Sequence, residues 1–133
     1  MVLYHGTSRQ YFDLMAESGF LKSPFLTDKL ELAEYYAQCA SDKSGDEDPV
    51  ILAVTLDEAD MALLRADFNS FEEPISITRN DFASNDSDWF EALEEGDEIW
   101  WPKSDSDYET SLRFTGSVIL DKDVPFSMIT ELE

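Results

Sequence analysis

The sequence predicts an α+β domain, on three observations. Short β-rich runs at residues 2–4, 24–27 and 50–56 alternate with two helical segments in the first half of the chain. An irregular acidic stretch fills the middle, and strand-like runs return at residues 111–114, 117–121 and 127–131. These patterns never settle into the regular alternation that a parallel sheet requires. With 133 residues there is room for one hydrophobic core but not comfortably for two, so a single domain is expected over 1–133.

Val2-Leu3-Tyr4 reads as the first strand, opening into His5-Gly6-Thr7-Ser8. Thr7 or Ser8 is placed to cap a helix, with Gln10 completing a capping box from Thr7. Tyr11, Phe12, Leu14 and Met15 supply its apolar face, and Gly19 is a natural stop. Pro24-Phe25-Leu26-Thr27 follows as a short strand. Asp28 with Glu31 makes a second capping box, for a helix over about residues 29–40 that carries Leu32, Tyr36 and Ala40 on one face and Ala33 beside them. Residues 41–48 are polar, contain a glycine and read as a loop. Pro49 leads into Val50-Ile51-Leu52-Ala53-Val54-Thr55-Leu56, the longest β-rich run, whose near-continuous apolarity marks a central strand.

Residues 57–71 read as a turn plus a short helix around residues 61–64, and 71–78 as a loop entering a strand. Asp88 and Glu91 suggest a capping box for a helix that Gly96 stops, with Trp89, Phe90 and Leu93 on its apolar side. Glu98-Ile99-Trp100-Trp101-Pro102 reads as a strand or an aromatic surface knob. Gly116 marks a bulge or turn between two closing strands, and Pro125 punctuates the approach to the last.

Charge is the strongest anomaly. Thirty Asp and Glu against nine Lys and Arg give a formal charge of −21. Binding to nucleic acid relies on Lys and Arg neutralising phosphates, so direct contact with nucleic acid is not expected. A macromolecular partner should be basic, for instance a protein that itself binds nucleic acid. Residues 81–109 hold eleven acids and one base, Lys103, and read as an acidic insertion. The aromatics threaded through it argue for folded structure rather than a disordered tail. One cysteine, Cys39, excludes an internal disulfide, and one histidine with one cysteine makes no zinc cluster. No apolar run has transmembrane length and no signal peptide precedes the first motif, so a soluble, cytoplasmic protein without membrane contact is expected.

The opening hexapeptide holds the sole histidine of the chain. By itself His5 reads as a buried, satisfied strand-end residue sooner than as a ligand contact. Its setting is more specific. Leu3-Tyr4-His5-Gly6-Thr7 is followed by a helix and Gly19-Phe20, then Phe25-Leu26-Thr27-Asp28, then a helix holding Tyr36 eight residues beyond Asp28, then the apolar strand at 50–56. This order resembles the ADP-ribosyltransferase superfamily, in its diphtheria-toxin and poly(ADP-ribose) polymerase branch, whose three motif positions are His, Tyr and Glu. The likeness covers about residues 2–56 well and the closing strands loosely.

The resemblance implies split antiparallel β-sheets with flanking helices and NAD as co-substrate. It assigns His5 to a hydroxyl of the NAD ribose, the backbone N–H and C=O of Gly6 to the nicotinamide carboxamide, and Thr7 to a position where the family usually has serine. Phe25 and Tyr36 correspond to the two aromatics that sandwich nicotinamide. These residue types suit that work: two aromatic faces hold a flat ring at modest entropic cost, and a glycine lets the backbone approach a carboxamide closely.

At the third motif position the chain departs from the family. The alignment falls near Thr115-Gly116-Ser117, none of them acidic. Glu109 fills the role if residues 108–114 form the equivalent strand, and Glu72 or Glu73 fills it if a loop enters the site. Ala33 stands where the family's second motif carries a carboxamide-holding serine. Three outcomes stay open. An acid such as Glu109 acts and the protein is a mono-ADP-ribosyltransferase; Ser117 or Thr115 occupies the position with reduced activity; or the fold is a scaffold for binding. The expected function is transfer of ADP-ribose from NAD to one acceptor on a basic protein. The alternative is a catalytically inactive acidic protein that mimics nucleic acid and blocks a nucleic-acid-binding partner, the mode of small bacteriophage counter-defence proteins. RNA 2′-phosphotransferase chemistry on the same fold would need several basic residues around the site, and the chain is poor in them.

Overall fold

A computed structural model describes residues 1–96 and 99–132. The chain opens on β1 (Val2–Ser8), longer than the three residues expected, so that His5 lies inside a strand rather than in a turn. Ser8 ends it by accepting a hydrogen bond from the Tyr11 N–H and capping α1 (Arg9–Ser18). The box from Thr7 to Gln10 does not form; the Gln10 N–H goes to the Asp46 carboxylate at 2.8 Å. Gly19, at φ 84°, stops the helix as expected. After β2 (Phe20–Leu21) comes β3 (Phe25–Thr27), and then α2 (Leu30–Ser44).

Two expectations about α2 need correction. Asp28 does not cap it, since the N-cap is Lys29, whose N–H donates to Thr27 Oγ1 at 3.0 Å. The helix also continues through residues 41–44, where Ser41 is buried, and ends only at Gly45. Polarity suggested a loop there, but one buried face suffices to carry a helix onward.

The central run is β4 (Pro49–Thr55). Next come α3 (Glu58–Met61), closed by a capping box between Asp57 and Asp60, and β5 (Leu64–Ala66), a strand too short to show a sequence period. Residues 71–78 form no strand but two short helices, α4 (Phe68–Glu72) and α5 (Ser76–Arg79). The alternation in Ile75-Ser76-Ile77-Thr78 suggested β structure, but the Ile75 carbonyl accepts from the N–H groups of Thr78 and Arg79. In α6 (Asp86–Glu95) Asn85, not Asp88, is the cap.

Residues 111–114 were expected as a strand and belong instead to α7 (Tyr108–Thr115). Asp107 caps that helix and Gly116, at φ 70°, ends it, so Gly116 is a helix stop rather than a bulge. The chain closes with β6 (Ser117–Leu120), β7 (Val124–Pro125), a 3-10 turn and β8 (Ile129–Leu132). Residues 99–102 form neither strand nor helix: Ile99 is buried, while Trp100 and Trp101 are exposed. Glu98 lies outside the described residues.

Among the described residues the strands form a six-stranded antiparallel sheet, ordered β5-β6-β3-β1-β4-β8, with β2 and β7 paired separately. The expected α+β class holds, without parallel units. Leu3, Leu26, Val54, Leu64, Val118 and Leu120 build the main core on the sheet. A second cluster of Phe71, Ala83, Trp89, Ile99 and Phe114 gathers the acidic segment, which is therefore folded around apolar side chains. There the Trp89 Nε1–H donates to the Phe71 carbonyl at 2.9 Å. Arg9 ties the start of α1 to the sheet edge through a two-pronged bond to Glu131, at 2.9 and 2.5 Å. Among the described residues no helix is long and apolar enough to cross a membrane.

Candidate functional site

The sheet is weakest between β1 and β3. Their ladder is one pair long, Tyr4 against Thr27, whereas β1 and β4 pair along seven positions. The ends of the β1–β4 ladder fix which way each backbone group points. Met1 and Leu56 exchange N–H···O bonds at 3.1 and 2.8 Å, and the Arg9 N–H donates to the Asp48 carbonyl at 2.9 Å. Hydrogen-bonded pairs alternate along an antiparallel ladder, so odd-numbered residues of β1 turn their polar groups toward β4. Even-numbered residues turn theirs the other way. Pro49, which has no N–H, accordingly stands opposite Ser8. The N–H and C=O of Gly6 therefore point toward β3, beyond the place where that ladder ends.

His5 bridges the gap. Its Nδ1 lies 2.8 Å from the Phe25 carbonyl oxygen, which accepts only if Nδ1 carries the proton. Nε2 is then left as the ring's acceptor. Burial pulls the imidazole below its ordinary 6.5, against the raising effect of the Phe25 bond, so the ring is neutral at pH 7.

A cleft of about 990 Å³ opens from this gap, and His5, Gly6, Phe25, Tyr36 and Ser117 all line it. They come from β1, β3, α2 and the start of β6. Phe25 is 52% exposed, an unusual setting for a strand phenylalanine, with its ring available at the cleft wall. Burial, then the negative charge of Asp67, push the Tyr36 phenol up to about 12, so it stays protonated. Gly6 also permits the fold. A Cβ built on it would lie 2.0 Å from the Ala33 carbonyl oxygen and 2.6 Å from the Ala37 nitrogen, so β1 and α2 approach too closely for any side chain.

Two expected site residues lie elsewhere. Thr7 is buried in β1 and does not line the cleft. Glu109 is exposed in the first turn of α7, also off the cleft wall, because its segment is a helix and not the strand that would have delivered it. Glu72 and Glu73 do reach the lining.

The carboxylate nearest Ser117 is one that the sequence did not single out. Asp67 follows directly on β5, and β5 pairs with β6 through Ala66 against Val118, which brings Asp67 beside Ser117. It is 3% exposed and lines the cleft. Its Oδ2 accepts from Ser117 Oγ at 2.7 Å and from Ser70 Oγ at 2.6 Å. Its Oδ1 is buried with no hydrogen-bond partner among the described residues. Arg79 is the one basic side chain on the lining among the described residues. It is held by Asp86 at 2.8 Å and Asn80 at 2.9 Å, while its Nε is buried without a partner among the described residues.

The His5 arrangement has a pH signature. Because burial depresses the folded-state pKa, the unfolded chain binds more protons once the pH drops below about 6.5. The His5 contribution to stability is therefore complete above that pH and declines as acid is added. Thermal melts at pH 8 and pH 5 are expected to show a larger acid loss for the native chain than for His5→Gln, by a few degrees; equal losses would contradict the neutral-ring assignment.

No protein family, characterised protein or solved structure compared with the chain matches it.

Proposed function

We propose that the chain is an ADP-ribosyltransferase-like protein, which holds NAD in the β1–β3 cleft and transfers ADP-ribose to one acceptor on a basic protein. One observation carries the reading. His5, the polar backbone of Gly6, Phe25 and Tyr36, separated along the sequence, converge on a single cleft opened by a broken ladder.

The lining suits such a ligand. The cleft volume of about 990 Å³ is at the upper end of small-molecule sites, roughly 300–1,000 Å³, as an extended dinucleotide needs. Arg79, on the lining, brings a positive charge suited to a phosphate. NAD supplies the ADP-ribosyl group when its bond to nicotinamide breaks. Gly6 offers one donor and one acceptor to the carboxamide, the combination an amide pairs with. Phe25 and Tyr36 hold the ring, and His5 Nε2 accepts from a ribose hydroxyl, fixing the sugar without adding charge.

The acceptor is read from the rim. Glu72, Glu73 and Asp86 stand on the lining. An adjoining groove of about 380 Å³ combines Phe90, Leu93 and Trp101 with Glu72 and Glu94. Carboxylates around exposed aromatics suit Lys or Arg side chains of a target.

Incubation of the intact chain with NAD tests this. Free nicotinamide and a mass increase of one ADP-ribose on basic proteins are expected, and His5→Ala should slow both tenfold or more. Absence of nicotinamide release together with absence of NAD binding would refute the reading. A second reading draws on the same groove and the net charge of −21: an inactive acidic protein that blocks a basic partner. It predicts salt-sensitive binding that needs no NAD and survives Tyr36→Ala.

A further inference from the structure

We infer that Asp67, positioned by Ser117 and Ser70, is the acid that acts on the ribose in this cleft; the inference rests on the reading proposed above. A buried ionised carboxylate normally has both oxygens satisfied, because desolvation is costly unless hydrogen bonds or charges offset it. Here two hydroxyls converge on Oδ2, while Oδ1 has no partner among the described residues, inside a wall of the cleft. The orientation is over-determined. The Asp67 N–H donates to Ser111 Oγ at 2.9 Å, and that hydroxyl donates to the Ser117 carbonyl at 2.6 Å. Ser70 from α4, Ser111 from α7 and Ser117 from the sheet thus hold one carboxylate in place and leave Oδ1 buried without a hydrogen-bond partner among the described residues.

A ligand completes the set by placing a hydroxyl donor, or a centre of developing positive charge, at Oδ1. A ribose losing nicotinamide provides both. With water in place of the protein acceptor, the C1′–N bond breaks with its electron pair passing to nicotinamide. A water oxygen forms the new bond to C1′, and the water's proton is released to solvent. Asp67 accepts from a ribose hydroxyl throughout and stabilises the charge that builds on the ring. Ser117 is a positioning residue, acting on the sugar only through Asp67.

The test compares the intact chain with Asp67→Asn and Ser117→Ala for NAD affinity by calorimetry, steady-state nicotinamide release and thermal melting without ligand. Asp67→Asn is expected to bind NAD within about threefold of the native affinity and to lower kcat about a hundredfold or more, the range for a lost charge-stabilising group. Without ligand it should melt no lower than the native chain, because it removes an unbalanced buried charge. A purely structural carboxylate would give the reverse, a lower melting temperature with kcat preserved. Ser117→Ala should lower kcat about tenfold with KM unchanged. Native turnover in a folded Asp67→Asn overturns the inference and leaves the NAD reading standing. Should Asp67→Asn fail to fold, Ser117→Ala decides, and an unchanged kcat overturns the inference. A native chain that neither binds NAD nor releases nicotinamide overturns both.

Discussion

Gly6→Ala should yield little or no folded protein, although it adds only one methyl group. The methyl carbon would sit 2.0 Å from a backbone oxygen and 2.6 Å from a backbone nitrogen of α2. Neither atom can rotate away as a side-chain tip would. Relief requires α2 to move off the sheet, and the buried contacts of Leu32, Ala33 and Ala37 would open with it. Overpacking a core commonly costs about 1–3 kcal/mol, and a clash with helix backbone belongs at or above the top of that range. For a domain of this size that is a fall in Tm on the order of 10 °C or more. The measurement is soluble yield together with a circular-dichroism melt. A Gly6→Ala chain melting within a few degrees of native would contradict the close approach of β1 and α2. The same approach presents the Gly6 backbone to the cleft, so packing and site depend on one missing side chain.

Tyr36→Ala should weaken NAD binding roughly tenfold to a hundredfold while the domain stays folded. Stacking an aromatic residue on a heterocycle is worth about 1–3 kcal/mol by alanine substitution. Tyr36 is only partly buried, and α2 keeps its anchors at Leu32, Ala33 and Ala37, so the melting temperature should move less than the affinity does. Tyr36→Phe separates ring from hydroxyl and should retain most of the affinity. Calorimetry on both variants checks this. Equal affinity in Tyr36→Ala and the native chain would place the ligand elsewhere.

Much of the fold was legible because its signals are local. β4 is a run of β-branched and aliphatic residues, α1 and α6 end in glycines, and β3 sits between a proline and a helix start. The errors arose where non-local terms decide. Ser111-Leu112-Arg113-Phe114 alternates like a strand, yet an Asp107 cap and a Gly116 stop make it helical, with Phe114 committed to the second core. Residues 41–44 look like a loop because only one face is buried, which polarity alone conceals. The site divides in the same way. His5, Gly6, Phe25 and Tyr36 were singled out by the resemblance, and the adjacency of β1, β3 and α2 brings them to one cleft wall. Asp67 was not. It reaches Ser117 only through the register of a three-residue strand with a partner about fifty positions away, and nothing local distinguishes it among thirty acids. Glu109 was preferred because it lies near the third motif in sequence, and the helix that holds it keeps it off the cleft wall.

The central claim is that the broken β1–β3 ladder forms a nicotinamide-dinucleotide site, and calorimetric titration of NAD into the intact chain tests it most directly. The account predicts a saturable, one-to-one heat that falls at least tenfold in affinity in Tyr36→Ala and weakens only at acidity beyond the ordinary imidazole range, where the buried His5 ring takes up a proton. No measurable heat from the native chain, or the same isotherm from Tyr36→Ala, would contradict it.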